Sequence, residues 1–334
     1  MKVGRLCFVG LVGLVWSACG LAESYTVPRL ADGTPDFQGV WTNATATPLE
    51  RPTEFGNRRA LTKEEADAIE ARERGRVAAD AQPSDPDKKI EAVASLPPVG
   101  NYNLFWTDRG MTAALIDGEY RTSIIIDPLN GRIPPLTEEA RNRPRRSRGV
   151  ADGPESRSLG ERCLLSFGSS AGPPMLPTMY NSYYQIVQSP GHVMILVEMV
   201  HDARIIRING KPVPSSIKKW MGDSVGHWEG DTLVVRTTNM RPEQALRGGT
   251  AENMVVTERF TRVADDQINY RFTVEDPTTF TAPFTGELPF TRVDAQVYEY
   301  ACHEGNYALP GILAAEREAE KRAAQEAAQK TKKK

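Results

Sequence analysis

From residue 183 to residue 302 the chain repeats one pattern, short runs of β-branched and aromatic residues separated by turn-forming pairs. Runs at 183–188, 192–200, 204–208, 225–228, 232–238, 253–263, 267–275, 285–292 and 296–301 predict strands. Pro190-Gly191, Asn209-Gly210, Glu229-Gly230-Asp231, Asp265-Asp266 and Asp294-Ala295 supply turns between several of them. Strands joined so tightly pair antiparallel, because a parallel return needs a crossover of about a dozen residues or more. A long meander removes its open edges by curling shut, so the expected fold is mainly β, an antiparallel meander closing into a barrel-like core. Within it, 253–263 shows no clean polar face, and 193–200 is apolar on both faces except at Glu198. That pattern predicts N-terminal segments packed outside the sheet.

Upstream, a short apolar strand is expected over 37–41, after the Asp32-Gly33 and Pro35-Asp36 turn signals. Thr62 with Glu65 forms a capping box that opens a helix over 63–79. Ile69 and Val77 are its only apolar members besides alanine, so it reads as a surface helix leading into the Pro- and Asp-rich linker 82–88. A strand over 120–127 ends at Pro128, Asn130-Gly131 makes a turn, and Thr137 caps a short helix that Pro144 stops. The stretch 311–334, rich in Ala, Glu and Lys, predicts a solvated helix with a basic tail. The expected division is a signal peptide at 1–22, an N-terminal strap with the surface helix at 23–100, the core at 101–305, and the charged helix and tail at 306–334.

Lys2 and Arg5, an apolar run over 6–16, and the small residues Ser17, Ala18, Gly20 and Ala22 have the layout of a secretory signal peptide. The run is shorter than the roughly 20 apolar residues that span a bilayer. A periplasmic or secreted protein with no transmembrane segment in its mature chain is expected. Cleavage after Ala22 is one reading, and cleavage before Cys19 with a lipid anchor on that thiol is the other. Either way Cys163 and Cys302 remain, and a pair far apart in an oxidising compartment is a natural disulfide. The competing reading is a nucleophilic or metal-binding thiol, without any close-spaced cysteine pair to suggest zinc.

A net charge of −2 with both signs interspersed gives no electrostatic case for nucleic acid. Arg141, Arg143, Arg145, Arg146 and Arg148 form the one basic cluster, read as a solvated loop or as a contact for an anionic ligand. There is no Gly-rich phosphate loop, no Gly-x-Ser-x-Gly elbow and no His-Glu-x-x-His pattern. The expected chemistry is therefore cofactor-free and metal-free.

Several segments carry a resemblance. Residues 35–43 (PDFQGVWTN), 127–136 (DPLNGRIPPL), 161–163 (ERC), 201–206 (HDARII), 228–235 (WEGDTLVV) and 301–306 (ACHEGN) resemble those of a family of exported bacterial proteins. The likeness runs through nearly the whole mature chain and implies export, but no assigned activity comes with it. Where similar proteins carry Arg before the Trp-Glu-Gly-Asp turn this chain has His227, which argues against a catalytic part for His227.

Histidine occurs four times, at His192, His201, His227 and His303. His192 follows a turn and reads as an exposed loop residue. His201 is followed by Asp202, and an imidazole beside a carboxylate is a workable general base. His303 and Glu304 follow Cys302, so a Cys163–Cys302 bond would gather them with Glu161 and Arg162 into an acid/base site or a structural ion-pair cluster. Counting strictly alternating strands places His201 and His303 at opposite ends; were the Pro289-containing run not a strand, they would meet. Glu198 is expected to be a buried carboxylate, either free or paired with Arg204 or Arg207. Tyr180, Asn181, Tyr183 and Tyr184 are candidates to line a sugar or aromatic-ligand pocket. The leading expectation is an acid/base enzyme (hydrolase, lyase or isomerase) on a small organic molecule, with His201, Asp202, His303, Glu304 and Glu161 as catalytic groups and Arg162, Tyr180, Asn181, Glu198 and Arg204 as ligand contacts. The alternatives are a non-catalytic ligand-binding barrel and an envelope scaffold.

Overall fold

A computed structural model describes residues 25–83, 107–143, 153–166, 172–244, 246 and 250–332. The expectations that rest on 1–22, on Cys19, on Arg145, Arg146 and Arg148 and on most of the 82–88 linker lie outside the described residues. In chain order the elements are β1 (Gly39–Thr42), β2 (Ala60–Leu61), α1 (Lys63–Asp80), β3 (Leu115–Ile116), β4 (Glu119–Arg121), β5 (Ile125–Asp127) and α2 (Glu138–Asn142). There follow β6 (Tyr183–Ser189), β7 (His192–Val197), β8 (Ala203–Ile208), β9 (Asp223–Glu229), β10 (Thr232–Thr238), β11 (Val255–Ala264), β12 (Gln267–Glu275), β13 (Phe284–Arg292) and α3 (Ala308–Lys332).

Nine strands close a barrel in the order β1-β6-β7-β8-β9-β10-β11-β12-β13, and β13 returns to β1 through Trp41 opposite Arg292. β5 adds to β13 outside the ring, while β2, β4 and β3 form a small separate sheet. The pleat sorts the side chains. On β11, Val256, Glu258, Phe260 and Arg262 are buried and their neighbours are not; on β12 the same holds for Ile268, Tyr270, Phe272 and Val274. Trp41, Tyr184, Leu288 and Phe290 join them. Tyr270 lies 4.9 Å from the Phe260 ring centre and 5.2 Å from that of Phe290. Each large apolar side chain sequestered this way stabilises the fold by roughly 1.5–3 kcal/mol, so the barrel interior is a packed core.

One charged group crosses that core with all its partners. Arg204, 2% exposed, gives Nη1 and Nη2 to the carboxylate of Glu258, Nε to Ser224 Oγ at 3.0 Å and Nη2 also to Thr237 Oγ1 at 2.9 Å. Tyr270 donates its hydroxyl to Glu258 Oε1 at 2.8 Å and accepts from the Met175 backbone N–H at 3.0 Å. Burial alone would push the guanidinium down, but the Glu258 carboxylate outweighs it and holds Arg204 above its usual range.

Several expectations are corrected. The barrel is not wholly antiparallel, because β8 and β9 run parallel, Ile206 opposite Ser224 and Ile208 opposite Gly226. The connection 209–222 between them is long enough to travel back along the barrel before β9 begins. The 296–301 run forms no strand. β1 already pairs with β13 near Arg292 and β5 occupies the same side further back, leaving no edge for another partner. The 37–41 segment is therefore not an external strap; as β1 it is the closing strand of the barrel. The 192–200 strand stops at Val197 and gives way to a tight turn, and the 120–127 strand divides into β4 and β5 in different sheets. Glu198 pairs with neither Arg204 nor Arg207, whose carboxylate partners are Glu258 and Asp223.

Pro289 sits inside β13 opposite Asn269 without disrupting it. Glu287 N–H, two residues earlier, donates sideways to Ile124 O at 2.9 Å, and Thr291, two residues later, faces Thr42 of β1. Pro289 thus turns its missing N–H into the gap between β5 and β1, where no ladder bond is required.

Candidate functional site

After β13 the chain does not end at the far side of the barrel. Val293 N–H donates to Val40 O at 2.9 Å, and the segment then runs back along the outside of the barrel to Tyr298, whose N–H meets Glu198 Oε1 at 3.2 Å. Glu198, 4% exposed, also accepts from Tyr183 N–H at 3.4 Å, so two backbone donors hold its buried carboxylate. It acts as a latch between the returning segment and the start of β6. Two residues on, the Tyr300 carbonyl reaches His201 Nδ1 at 3.2 Å. Then Cys302 bonds Cys163, with sulfurs 1.97 Å and Cα atoms 5.8 Å apart. His201 and the residues leading into His303 therefore share one end of the barrel, contrary to the strand count, because the parallel step from β8 to β9 reverses the direction of every later strand.

The turn that presents His201 is bent against the preference of its β-branched member, Val200. Val200 has φ 62° and His201 φ 45°, both left-handed. A β-branched residue there is a true outlier, of order 1–3 kcal/mol in cost, and such strain persists only where the surroundings over-determine it. Here Met199 and Val200 are buried, and Val197 N–H donates to Asp202 O at 2.8 Å, closing the turn. Cys163 is left-handed too, with φ 53°. The other non-glycine residues with positive φ among the described residues, Asp117, Asn181, Asn209 and Asn239, are of types that tolerate it. The two uncommon positions, Val200 by way of His201 and Cys163 by way of its disulfide, are thus tied to Tyr300 and Cys302.

A carbonyl oxygen only accepts, so His201 Nδ1 carries the hydrogen and the neutral ring keeps its lone pair on Nε2. His201 is exposed. Next to it Asp202 is half-buried, with Oδ2 shielded from solvent and unpartnered among the described residues. Burial pushes the Asp202 carboxyl up to about 6, against the opposing pull of His201. The pair combines an oriented base with an acid that keeps its proton up to about pH 6.

Tyr300 also forms one wall of a pocket of about 450 Å³ whose lining includes Glu161, Tyr180, Asn306 and Leu309 around the Cys163–Cys302 bridge. The Tyr180 and Tyr300 rings lie within 15° of parallel, their centres 6.4 Å apart. Ser158 and Glu161 make a reciprocal cap. Ser158 Oγ accepts from Glu161 N–H at 3.2 Å, and Glu161 Oε2 accepts from Ser158 N–H at 2.9 Å and from its hydroxyl at 2.8 Å. Arg157 bonds Oε1. Burial would raise the Glu161 carboxyl, but the Ser158 donors and Arg157 together hold it below its usual range. Asn306 Nδ2 donates to Glu161 O at 2.7 Å and reaches Cys163 Sγ at 3.5 Å, while its Oδ1 accepts from Leu309 N–H at 3.3 Å.

The structure thus gathers Glu161, Tyr180, Cys163 and Cys302 around one pocket, while His201 reaches the backbone carbonyl of Tyr300, a lining residue, and neither His201 nor Asp202 belongs to the lining itself. His303 and Glu304 follow Cys302 on the exposed surface. Arg162 is half-buried beside Glu161, and Asn181 shapes the turn before β6 without lining the pocket. Arg204 does not join; it points into the barrel core. Tyr300, Asn306, Arg157 and Ser158 were not among the residues expected, although the Ser158-x-x-Glu161 spacing is a legible cap signal. Elsewhere, His227 bonds Glu229 at 3.1 Å on the surface, and His192 lines a second pocket of about 450 Å³ at the opposite end with Trp228 and Leu30. Among the described residues no three His, Cys, Asp or Glu side chains converge as metal ligands.

Compared with models of protein families, with curated proteins and with solved structures, the chain matches none. Among the described residues no helix is long and apolar enough to cross a membrane.

Proposed function

We propose that this is an exported enzyme, periplasmic or secreted, which moves protons on a small organic substrate without a cofactor, in an isomerisation, elimination or hydrolysis. The observation that carries the reading is the strained Val200-His201 turn, which sets an imidazole with a fixed tautomer beside a carboxyl raised to about 6 and ties it to the backbone of Tyr300, a residue of the pocket wall. Backbone strain and displaced pKa values concentrate where chemistry is done. In this reading Nε2 of His201 accepts a proton from the substrate or from a water, and Asp202 returns one. Export is supported by the N-terminal pattern and by the cysteine pair at bonding distance.

The test is a turnover screen of small esters, lactones and enolisable carbonyl compounds with the oxidised mature chain. Turnover that disappears in His201→Asn while the fold is retained supports the proposal. A compound that binds the pocket and comes back unchanged, or turnover indifferent to His201 and Asp202, overturns it. The second reading, a binding protein without chemistry, draws on the fact that Glu161 and Asn306 are already fully engaged with protein groups.

A further inference from the structure

We infer that the pocket lined by Tyr180 and Tyr300 takes a flat, uncharged aromatic ring system. The inference rests on the proposed function for the location of the site, and it narrows the class of substrate. Three observations bear on it together. First, the two tyrosine rings are within 15° of parallel with centres 6.4 Å apart and both line the pocket, so they offer aligned aromatic surface to a flat molecule. Both rings are only half-buried, so part of that surface is open to a ligand.

Second, the polar lining is not available to read hydroxyl groups. Glu161 is held by Ser158 and Arg157, and both ends of the Asn306 amide are bonded to protein groups. A sugar in such a pocket would lose its hydration without gaining the fixed polar partners that sugar sites provide. Third, no net charge faces the space. The Glu161 carboxylate is neutralised by Arg157, and the rest of the lining includes Leu309, Ile312, Ala308 and the Cys163–Cys302 sulfurs, which are soft and polarisable against ring faces and edges. A charged ligand would be desolvated there without a partner. The ring would lie against Tyr300, whose carbonyl fixes His201, so the stacked ligand is brought to the same residue that orients the base.

The experiment measures binding of 2-naphthol, its saturated analogue trans-2-decalol and methyl β-glucoside to the oxidised mature chain, with the tyrosine ring signals followed by NMR. The expected result is that 2-naphthol binds and shifts the Tyr180 and Tyr300 signals, while decalol and the glucoside bind weaker by about tenfold or more. Tyr300→Phe and Tyr180→Phe, which also assign the signals, keep the affinity; Tyr180→Leu loses it by a similar factor with melting behaviour unchanged. Equal affinity for naphthol and decalol, binding that leaves both tyrosine signals unmoved, or no naphthol binding up to its solubility limit would overturn the inference. Binding needs no turnover, so His201→Asn keeps the naphthol affinity. Naphthol binding without turnover of any compound removes the catalytic proposal and leaves this inference standing, whereas His201-dependent turnover of saturated substrates alone, with KM unmoved by Tyr180→Leu, removes the inference and leaves the catalytic proposal.

Discussion

His201 Nδ1 lies 3.2 Å from the carbonyl oxygen of Tyr300, a residue 99 positions further along the chain. The contact does for the imidazole what a carboxylate does in many acid/base sites: it fixes the tautomer and aims Nε2 outward. Asparagine at position 201 keeps a donor for that carbonyl and tolerates the left-handed backbone, but has no basic nitrogen. His201→Asn is therefore expected to keep the melting temperature while lowering kcat by about 10²–10⁴. The limb of the pH–rate profile that reports the base disappears with it. An unchanged profile would remove His201 from the chemistry.

Asp202 gives a stability prediction of opposite sign. Its carboxyl titrates near 6 in the fold against 3.8 in the unfolded chain, so the fold prefers the protonated form. The contribution is fully present below 3.8 and is lost as pH rises through about 6. Asparagine imitates the neutral acid at every pH. Asp202→Asn should thus stabilise the protein at pH 7 by about 1 kcal/mol, the full conversion being discounted because the group is partly wet. The gain should vanish near pH 3.8, while the enzyme reading requires turnover to fall. Denaturant titrations at several pH values measure the first part.

The disulfide closes a loop between positions separated by 139 residues. Replacing both cysteines by serine is expected to cost about 2–4 kcal/mol. The loss should be felt first in the returning segment, which is otherwise held by Val293, Tyr298, the Tyr300 carbonyl and the Asn306 amide. Limited proteolysis should cut within 293–306 before it cuts any barrel strand, and a first cut elsewhere would show that the segment is not the weak element.

Inside the barrel, Glu258→Gln leaves the Arg204 guanidinium buried without its counter-charge. A loss of about 3–5 kcal/mol is expected. Replacing both partners with apolar residues, Arg204→Met with Glu258→Leu, should recover most of it. Equal losses in the single and double variants, measured by chemical denaturation, would mean that the pair is not coupled.

The local signals of this sequence were legible. The 232–238 and 267–275 runs are β10 and β12 to the residue, Thr62 and Glu65 cap α1 reciprocally, and Thr137 caps α2. The distant cysteine pair was legible as well, and it pointed to the neighbourhood of Glu161. What the pattern did not reveal depends on relationships between elements. The run 296–301 has strand-like residues, but a strand needs a free edge, and β1 had taken it. Glu198 looked like a partner for arginine, yet two backbone N–H groups, one at the start of β6 and one in the returning segment, satisfy it. The raised carboxyl of Asp202 follows from burial, and Tyr300 enters the site through a backbone oxygen that every residue possesses.

The closed ring has nine members, and an odd ring cannot alternate up and down all the way round. One neighbouring pair must point the same way, and here that pair is β8 and β9. A same-direction pair is therefore a necessity of this strand number, and by placing it between β8 and β9 the 209–222 crossing decides on which side of the barrel the tail emerges. An eight-membered relative lacking β1 and wound without the crossing would carry its Cys302 to the opposite rim, out of reach of Cys163 and of the imidazole.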